Sequence, residues 1–280
     1  MIESTAVPAL NSDPMNFSLI TIPFAKASAC GNDFLIIDGI HAPANISEFS
    51  RRICDRHDGV GADGVEWLFP ASDADIRARL FNSDGSAAEI SGNGTRCVAA
   101  HLCAQEAREQ VIVRTDAGLK TCRLIAHSDP HYEFEIAMGE PHVGEEFPIH
   151  LALREVRGVP VSMGNPHFVI FVPDFAAAWQ TEAAEIGHHH DFKHGVNVEL
   201  VKIQNEENIE VRFFERGVGE TRSSGTGSCA AAAAAIFSRK TVSPVKVHAP
   251  GGVQTVRWET QLFLLGSATL VCRGKYFYGE

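Results

Sequence analysis

The stretch Phe214-Glu215-Arg216-Gly217-Val218-Gly219-Glu220-Thr221-Arg222-Ser223-Ser224-Gly225-Thr226-Gly227-Ser228-Cys229 leads directly into six alanines, residues 230–235. This order of residues predicts a strand, a glycine-rich turn and a buried helix. Ser224 can cap the helix, and the glycines that follow it let the backbone approach a ligand closely. Free N–H groups and the positive end of the helix dipole would face that ligand. The stretch therefore predicts an anion-binding turn.

A second copy of this pattern lies 133 positions earlier, in residues 81–100. The offset pairs Ser91 with Ser224, Gly92 with Gly225, Gly94 with Gly227, Asn82 with Glu215, and Gly31-Asn32 with Gly164-Asn165. A period of nearly half the chain is too long for a solenoid, so it predicts two copies of one domain. Two such halves facing each other would direct two helix N-termini at one cleft.

The composition limits the kinds of partner. A net charge of −11 argues against nucleic acid, which requires clustered Lys and Arg. No apolar run approaches the roughly 20 residues that cross a membrane, so we expect no membrane partner. None of the seven cysteines forms a Cys-x-x-Cys pair, which argues against structural zinc. Reduced thiols indicate a cytoplasmic protein.

The chain is long enough for two domains, each with its own core. We expect a disordered extension at 1–16, a first domain at 17–138, a second at 139–267, and a C-terminal strand at 268–280 that joins the first. Many short strands with one strongly buried helix per half predict an α+β fold in which a sheet surrounds a central helix.

Hydrophobic periodicity predicts the remaining elements. Two shorter helices are expected at 46–54 and 181–186. Strands are expected at 17–24, 34–38, 65–69, 74–81, 111–117, 120–126, 132–138, 157–163, 168–172, 196–203, 209–215, 245–249, 252–259, 261–266 and 268–276.

Other assignments of the glycine loops and charged residues are weaker. Neither loop has the Gly-Lys-Ser/Thr ending of a P-loop, and neither has the βαβ context of a dinucleotide-binding fold.

Glu215-Arg216 ends an apolar strand, where half-buried charges need partners. An amino-acid ligand would supply an ammonium for Glu215 and a carboxylate for Arg216. The histidines at 188–190 have no carboxylate at helical spacing, so we expect a solvated surface.

Seven motifs together resemble the diaminopimelate epimerase family over nearly all of the chain after residue 16. The motifs are Gly31-Asn32-Asp33-Phe34, Asp55-Arg56-His57 with Gly59-Val60-Gly61, Phe81-Asn82-Ser83-Asp84-Gly85, Ser91-Gly92-Asn93-Gly94-Thr95-Arg96-Cys97, Gly164-Asn165-Pro166-His167, Gly195-Val196-Asn197-Val198, and Glu215-Arg216-Gly217 through Gly225-Thr226-Gly227.

The resemblance implies two pseudo-symmetric domains, each a mostly antiparallel, barrel-like sheet around a central helix. It implies inversion at an α-carbon by two acid–base groups, without cofactor or metal. The substrate carboxylate would bind Gly92, Asn93, Gly225 and Thr226. His167 and Glu215 would contact the reacting centre, and the substrate would be held by Asn32, Asn82, Asn165, Asn197 and Arg216.

The chain departs from the family at the two acid–base positions, where Ser91 and Ser224 replace cysteines. A serine hydroxyl is a far weaker acid than a thiol and needs an adjacent base. Cys97 and Cys229 lie inside the helices, so neither replaces the missing thiols. Gly64 is a smaller departure, since some relatives carry a polar side chain there.

Three interpretations stay open. The chain can be a natural member that uses Ser91 and Ser224 to interconvert LL- and meso-diaminopimelate. It can be a relative that binds an amino acid without inverting it, or an isomerase of a different amino acid. It can also carry an engineered pair of substitutions, although Arg222 and Ser223 differ from the usual pattern too and favour a natural variant. Whether the protein is a homodimer also stays open.

Overall fold

A computed structural model describes residues 20–279. The extension predicted at 1–16 and the first residues of the strand predicted at 17–24 lie outside this range. The helices are α1 (Ile46–Cys54), α2 (Gly92–Cys103), α3 (Trp179–Gly187) and α4 (Gly225–Phe237). The strands are β1 (Ile20–Ala29), β2 (Asn32–Asp38), β3 (Gly64–Phe69), β4 (Ile76–Asn82), β5 (Ala87–Ala88), β6 (Gln110–Thr115), β7 (Gly118–Ser128), β8 (His131–Gly139), β9 (His142–Val143), β10 (Phe147–His150), β11 (Glu155–Ser162), β12 (Pro166–Phe171), β13 (Asn197–Asn205), β14 (Asn208–Glu215), β15 (Gly219–Thr221), β16 (Val245–Ala249), β17 (Gly252–Trp258) and β18 (Leu262–Tyr278).

The first half of the chain forms a closed barrel. Strands β1, β2, β3, β4, β6, β7, β8 and β18 pair in that order, and β18 pairs back with β1. Only β2–β3 and β4–β6 are parallel in this ring. Helix α2 lies inside, where Cys97 to Ala100 pack against the inward residues of the strands. Helix α1 packs on the outside.

The second half repeats this arrangement. Strands β11, β12, β13, β14, β16, β17 and β18 pair in order, and β8 with its continuation β9 closes the ring back to β11. Helix α4 lies inside and α3 outside. The two barrels therefore share β8 and β18, and the predicted pair of mostly antiparallel barrels around central helices is confirmed.

The internal repeat is visible in the strand register. Phe34 pairs with Gly64 between β2 and β3, and His167 pairs with Asn197 between β12 and β13. The offset of 133 positions relates Phe34 to His167 and Gly64 to Asn197. Helices α1 and α3 keep the same offset, so the predicted helix at 46–54 is confirmed and the one at 181–186 extends by one turn.

The prediction of two strands at 261–266 and 268–276 is wrong, because β18 is one continuous strand. Its first part pairs with β8 and its second part with β1, so it belongs to both barrels. The boundary predicted at residue 267 falls inside this strand, and the division into 17–138 and 139–267 stays a prediction. Within the described range no helix is long and apolar enough to cross a membrane.

The alanine run allows the second barrel to close tightly on α4. All six side chains from Ala230 to Ala235 are completely buried. The surrounding residues are mostly valines of the barrel wall, including Val201, Val211 and Val256. Because interiors are close-packed, larger side chains on this helix would force the strands apart.

We predict that Ala232→Leu lowers the free energy of unfolding by about 1–3 kcal/mol, because the added atoms overpack a filled core. The matched control is Ala177→Leu, at an exposed position, where we expect a change within about 0.5 kcal/mol. Urea unfolding followed by circular dichroism measures both. Equal stability of the two variants would contradict the tight packing of α4.

Candidate functional site

Two serines cap the central helices at the same end of their barrels. The Oγ atom of Ser91 accepts a hydrogen bond from the backbone N–H of Gly94 at 3.0 Å. In the second half, Oγ of Ser224 accepts one from the N–H of Gly227 at 3.2 Å. Both serines have extended backbone conformations, as N-cap residues do. Ser224 is buried and Ser91 is half-buried.

Each helix start leaves two N–H groups free. The carbonyl groups of Ser91 and Ser224 accept from the fourth residue after them, and their hydroxyl groups accept from the third. No described residue accepts from the N–H groups that remain, which belong to Gly92, Asn93, Gly225 and Thr226. A Cβ atom placed on Gly92 would find nothing within 4 Å, so open space lies in front of it. Such N–H groups bind anions.

The two capping loops touch each other across the halves of the chain. Nδ2 of Asn93, two residues after Ser91, lies 3.4 Å from Oγ of Ser223, the residue before Ser224. These partners are 130 positions apart. The contact places the two helix N-termini next to each other.

A buried guanidinium fixes the orientation of this asparagine. Arg96 is fully buried and donates to Oδ1 of Asn93, so the amide nitrogen must point the other way. That nitrogen donates to Oδ1 of Asn32 at 2.8 Å. Arg96 also donates to the carbonyls of Gly92 and Ser267, each at 3.3 Å. This role could not be predicted from sequence, because an arginine inside a helix carries no signal of burial.

The other polar residues predicted in the first half lie at the same barrel end. Asn32 begins β2 and donates to Oδ2 of Asp63 at 3.1 Å. Asn82 ends β4, directly opposite Gly64 in the strand register, and donates to Oγ of Ser86 at 3.0 Å. A Cβ atom on Gly64 would lie 2.8 Å from the carbonyl oxygen of Phe81, so a side chain there would require a shift.

In the second half, His167 is held from both sides. Its Nδ1 lies 2.7 Å from Oε1 of Glu199, and its Nε2 lies 3.0 Å from Oδ1 of Asn165. Nδ2 of Asn165 lies 3.5 Å from Oγ1 of Thr226 at the start of α4. His167 and Glu199 are both buried. The histidine therefore links the helix N-terminus to a carboxyl group inside the barrel.

Glu215 and Arg216 end β14 at the rim of the second barrel. Burial raises the pKa of Glu215, although a hydrogen bond from Oγ1 of Thr221 at 2.6 Å opposes this. The backbone N–H of Arg216 donates to Oδ1 of Asn197 at 2.9 Å, and its exposed guanidinium donates to the carbonyl of His194. A half-buried carboxyl and an exposed guanidinium next to each other suit an ammonium and a carboxylate of one ligand.

Two buried acids, Glu66 in β3 and Glu199 in β13, are not among the residues predicted from sequence. Burial raises the pKa of Glu66 to about 8. Burial also raises the pKa of Glu199, while the neighbouring His167 ring opposes this. A signal did exist, since each is the single acid of its strand, stands between apolar residues, and the two are 133 positions apart.

The cysteines do not replace the missing thiols. All seven are free, and Cys97 and Cys229 are completely buried within the central helices. Burial raises the pKa of Cys97 and raises that of Cys229 to about 12, so neither forms a thiolate near neutral pH.

The histidine run at 188–190 is not uniformly solvated, which corrects the sequence-based prediction. His189 is buried, and its Nε2 lies 3.2 Å from the carbonyl oxygen of His150. His190 remains exposed. Ligand atoms of His189, His190 and Asp191 lie within 4.8 Å of one another, so these three side chains could approach one metal ion.

Comparison with known proteins identifies relatives over most of the chain. A sequence profile of the family described as diaminopimelate epimerase matches residues 24–143 and 159–271. A diaminopimelate epimerase of Halothermothrix orenii is 36% identical, with 92% of this chain and 99% of the relative covered. One from Pelotomaculum thermopropionicum is 37% identical, with coverage of 91% and 99%.

Solved structures with the same fold are more distant in sequence. A PhzF-family phenazine biosynthesis protein of Bacillus anthracis has a TM-score of 0.70 and 16% identity, covering 91% of this chain and 99% of that one. A hydroxyproline epimerase of Agrobacterium vitis, with trans-4-hydroxy-L-proline bound, has a TM-score of 0.69 and 17% identity, covering 93% of each chain.

The buried Glu66 predicts an unusual dependence of stability on pH. Its pKa is about 8 in the folded protein against an ordinary value of 4.5, so the folded state holds a proton that the unfolded state has lost between these values. The contribution of Glu66 to stability therefore falls as pH rises across this window, by about 1.4 kcal/mol per pH unit.

We expect Glu66→Gln to gain stability relative to the unmodified protein by several kcal/mol between pH 5 and pH 8, by integration of that slope. Urea midpoints at each pH measure the difference. The control is Glu135→Gln, which removes another buried carboxyl, one that pairs with Arg123 and Arg257 and should not show this gain. Parallel pH curves for Glu66→Gln and the unmodified protein would contradict the account.

Proposed function

This chain belongs to the diaminopimelate epimerase family, and we propose that it is a cofactor-independent epimerase that interconverts LL- and meso-diaminopimelate. Ser91 and Ser224 stand on opposite sides of the substrate α-carbon and exchange protons with it. The reaction would take place in the cleft between the two capping loops, in the cytoplasm. The sequence identity of the relatives over nine-tenths of the chain supports the substrate class.

The observation that carries this proposal is the meeting of two helix N-termini. The free N–H groups of Gly92 and Asn93 from one half, and Gly225 and Thr226 from the other, can bind both oxygens of a substrate carboxylate. When the α-proton leaves, negative charge develops on those oxygens. Fixed N–H groups directed at the developing charge stabilise the transition state more than the ground state.

The remaining polar groups would hold the rest of the substrate. His167 and Glu215 would lie near the ammonium at the reacting centre. The asparagines at the strand ends and Arg216 would bind the distal amino-acid group through amide and guanidinium contacts. These residues are Asn32, Asn82, Asn165 and Asn197.

A second candidate is a protein that binds the amino acid without inverting it. The serines at both acid–base positions favour this candidate, because a hydroxyl without an activating base is a poor proton acceptor. The binding groups would then be the same, and only turnover would be missing.

Incorporation of deuterium at the α-carbon of LL-diaminopimelate in heavy water distinguishes the candidates. We expect the unmodified protein to exchange the α-proton, and the Ser91→Cys/Ser224→Cys double variant to do so at least about 100-fold faster, because thiols ionise more readily. Ser238→Cys, at the opposite end of α4, is the matched control and should leave the rate unchanged.

Exchange only after both thiols are restored would support the silent binding protein. Absence of exchange and of binding in every version, measured by calorimetry, would contradict the diaminopimelate assignment itself.

A further inference from the structure

Glu66 and Glu199 occupy equivalent places beneath the two capping serines. Each is the third residue of its strand, β3 or β13. Side chains alternate along a strand, and Val65 and Trp67 pack outward against α1, so Glu66 points into the barrel towards α2. The exposed fractions of Glu66 and Glu199 are 3% and 1%. Each barrel thus contains one carboxyl group at the first turn of its central helix.

The second glycine of each loop makes room for the carboxyl group. A Cβ atom on Gly94 would lie 2.1 Å from Oε1 of Glu66, and one on Gly227 would lie 2.9 Å from Oε1 of Glu199. The same point on Gly94 is 3.2 Å from Cβ of Ser91, so the carboxyl oxygen and the serine Cβ are separated by no more than the sum of these distances. Rotation of the hydroxyl or one water molecule can connect the two groups.

Both acids keep an oxygen without a hydrogen-bond partner. Among the described residues none donates to Glu66, and burial alone raises its pKa. Oε2 of Glu199 is buried and likewise has no partner there. A buried carboxyl oxygen without a partner, as Oε2 of Glu199 is, costs stability, and a role in function accounts for such a cost. Neither acid has a role in the binding of substrate described above.

We propose that Glu66 and Glu199 exchange protons with the hydroxyl groups of Ser91 and Ser224, and so act as the adjacent bases that a serine requires. This inference rests on the proposed function and deepens it. It explains how two hydroxyl groups take the place of two thiols.

In one direction of the reaction, one proton passes from the substrate to Glu199 through Ser224, and another passes from Glu66 to the substrate through Ser91. The α-carbon–hydrogen bond breaks, its electron pair stays on the substrate as the enolate, and the proton bonds to Oγ of Ser224. The hydroxyl proton of Ser224 passes to Oε2 of Glu199. On the other face, Ser91 gives its hydroxyl proton to the α-carbon and regains one from Glu66. The other epimer reacts by the same steps in reverse.

The proposed exchange needs one carboxyl group that accepts a proton and one that gives a proton, and the two acids differ in this respect. Oε1 of Glu199 lies 2.7 Å from Nδ1 of His167, whereas its Oε2 has no partner among the described residues and is open to a proton. No cation neutralises Glu66, so its carboxyl holds a proton at neutral pH. Cys97 of α2 lies within electrostatic range of Glu66 and also of Arg96, Cys30 and Asp33, and the residue opposite Glu66 on β4 is Leu80.

The test introduces Glu66→Gln into two backgrounds and measures α-deuterium exchange in each. In the unmodified protein we expect a loss of at least about 100-fold, the size of a lost general acid–base group. In the Ser91→Cys/Ser224→Cys background we expect little loss, because a thiol beside a helix N-terminus ionises without Glu66. Glu135→Gln, the buried acid of β8, is the matched control and should leave both rates unchanged.

The pH profile gives a second readout that a structural role would not change. Exchange that starts with proton removal by Ser91 needs Glu66 ionised, so it rises through about pH 8. Exchange that starts with removal by Ser224 needs Glu66 protonated, so it falls there. Near this pH the exchange rate should therefore rise with pH for one epimer and fall with pH for the other. Glu66→Gln should remove both dependences.

Each contrary outcome has a distinct meaning. An unchanged rate in Glu66→Gln would overturn the inference and leave the proposed function intact. Equal losses in both backgrounds would assign Glu66 a structural role and overturn the inference as well. An inert unmodified protein with an active double-cysteine variant would show that Glu66 does not activate Ser91. Inactivity of every version, without binding, would overturn the proposed function.

Discussion

The structure depends on one electrostatic constraint, the exposure of two helix N-termini at one place. Each central helix packs inside a barrel through its middle turns, and its first turn presents free N–H groups at the barrel end. The free N–H groups there require an anion or water. The shared strands β8 and β18 bring the two barrels together, and the Asn93–Ser223 contact joins the loops. A carboxylate between them would satisfy both helices at once.

The repeat supplies the same scaffold twice but not the same chemistry. Asn32 contacts α2 through Asn93, and the equivalent Asn165 lies beside Thr226 of α4. The position of Phe34 in the first half holds His167 in the second, so only the second barrel pairs its buried acid with an imidazole. Inversion requires one group that accepts a proton and one that gives it. For the proposed inversion, an inexact duplication would provide this difference between two otherwise equivalent faces.

The local parts of the fold and site could be predicted from sequence. The Ser-Gly-x-Gly loops predicted both helix starts, because capping and close approach depend on neighbouring residues. Long-range features could not be predicted in this way. The continuity of β18 follows from pairing with two distant strands, and the burial of Arg96 follows from the closure of a barrel around it. The inward direction of Glu66 depends on which face of β3 meets α2, which periodicity does not specify.

The most direct test of the shared anion site follows the backbone N–H signals of Gly92 and Gly225 by NMR, in protein labelled with ¹⁵N-glycine, as LL-diaminopimelate is added. We predict that both signals shift with one common dissociation constant, while Gly118 and Gly139, in positive-φ turns outside the capping loops, stay unchanged. A shift of one capping glycine without the other, or of neither at concentrations where calorimetry detects binding, would contradict the claim that both helix N-termini bind one carboxylate.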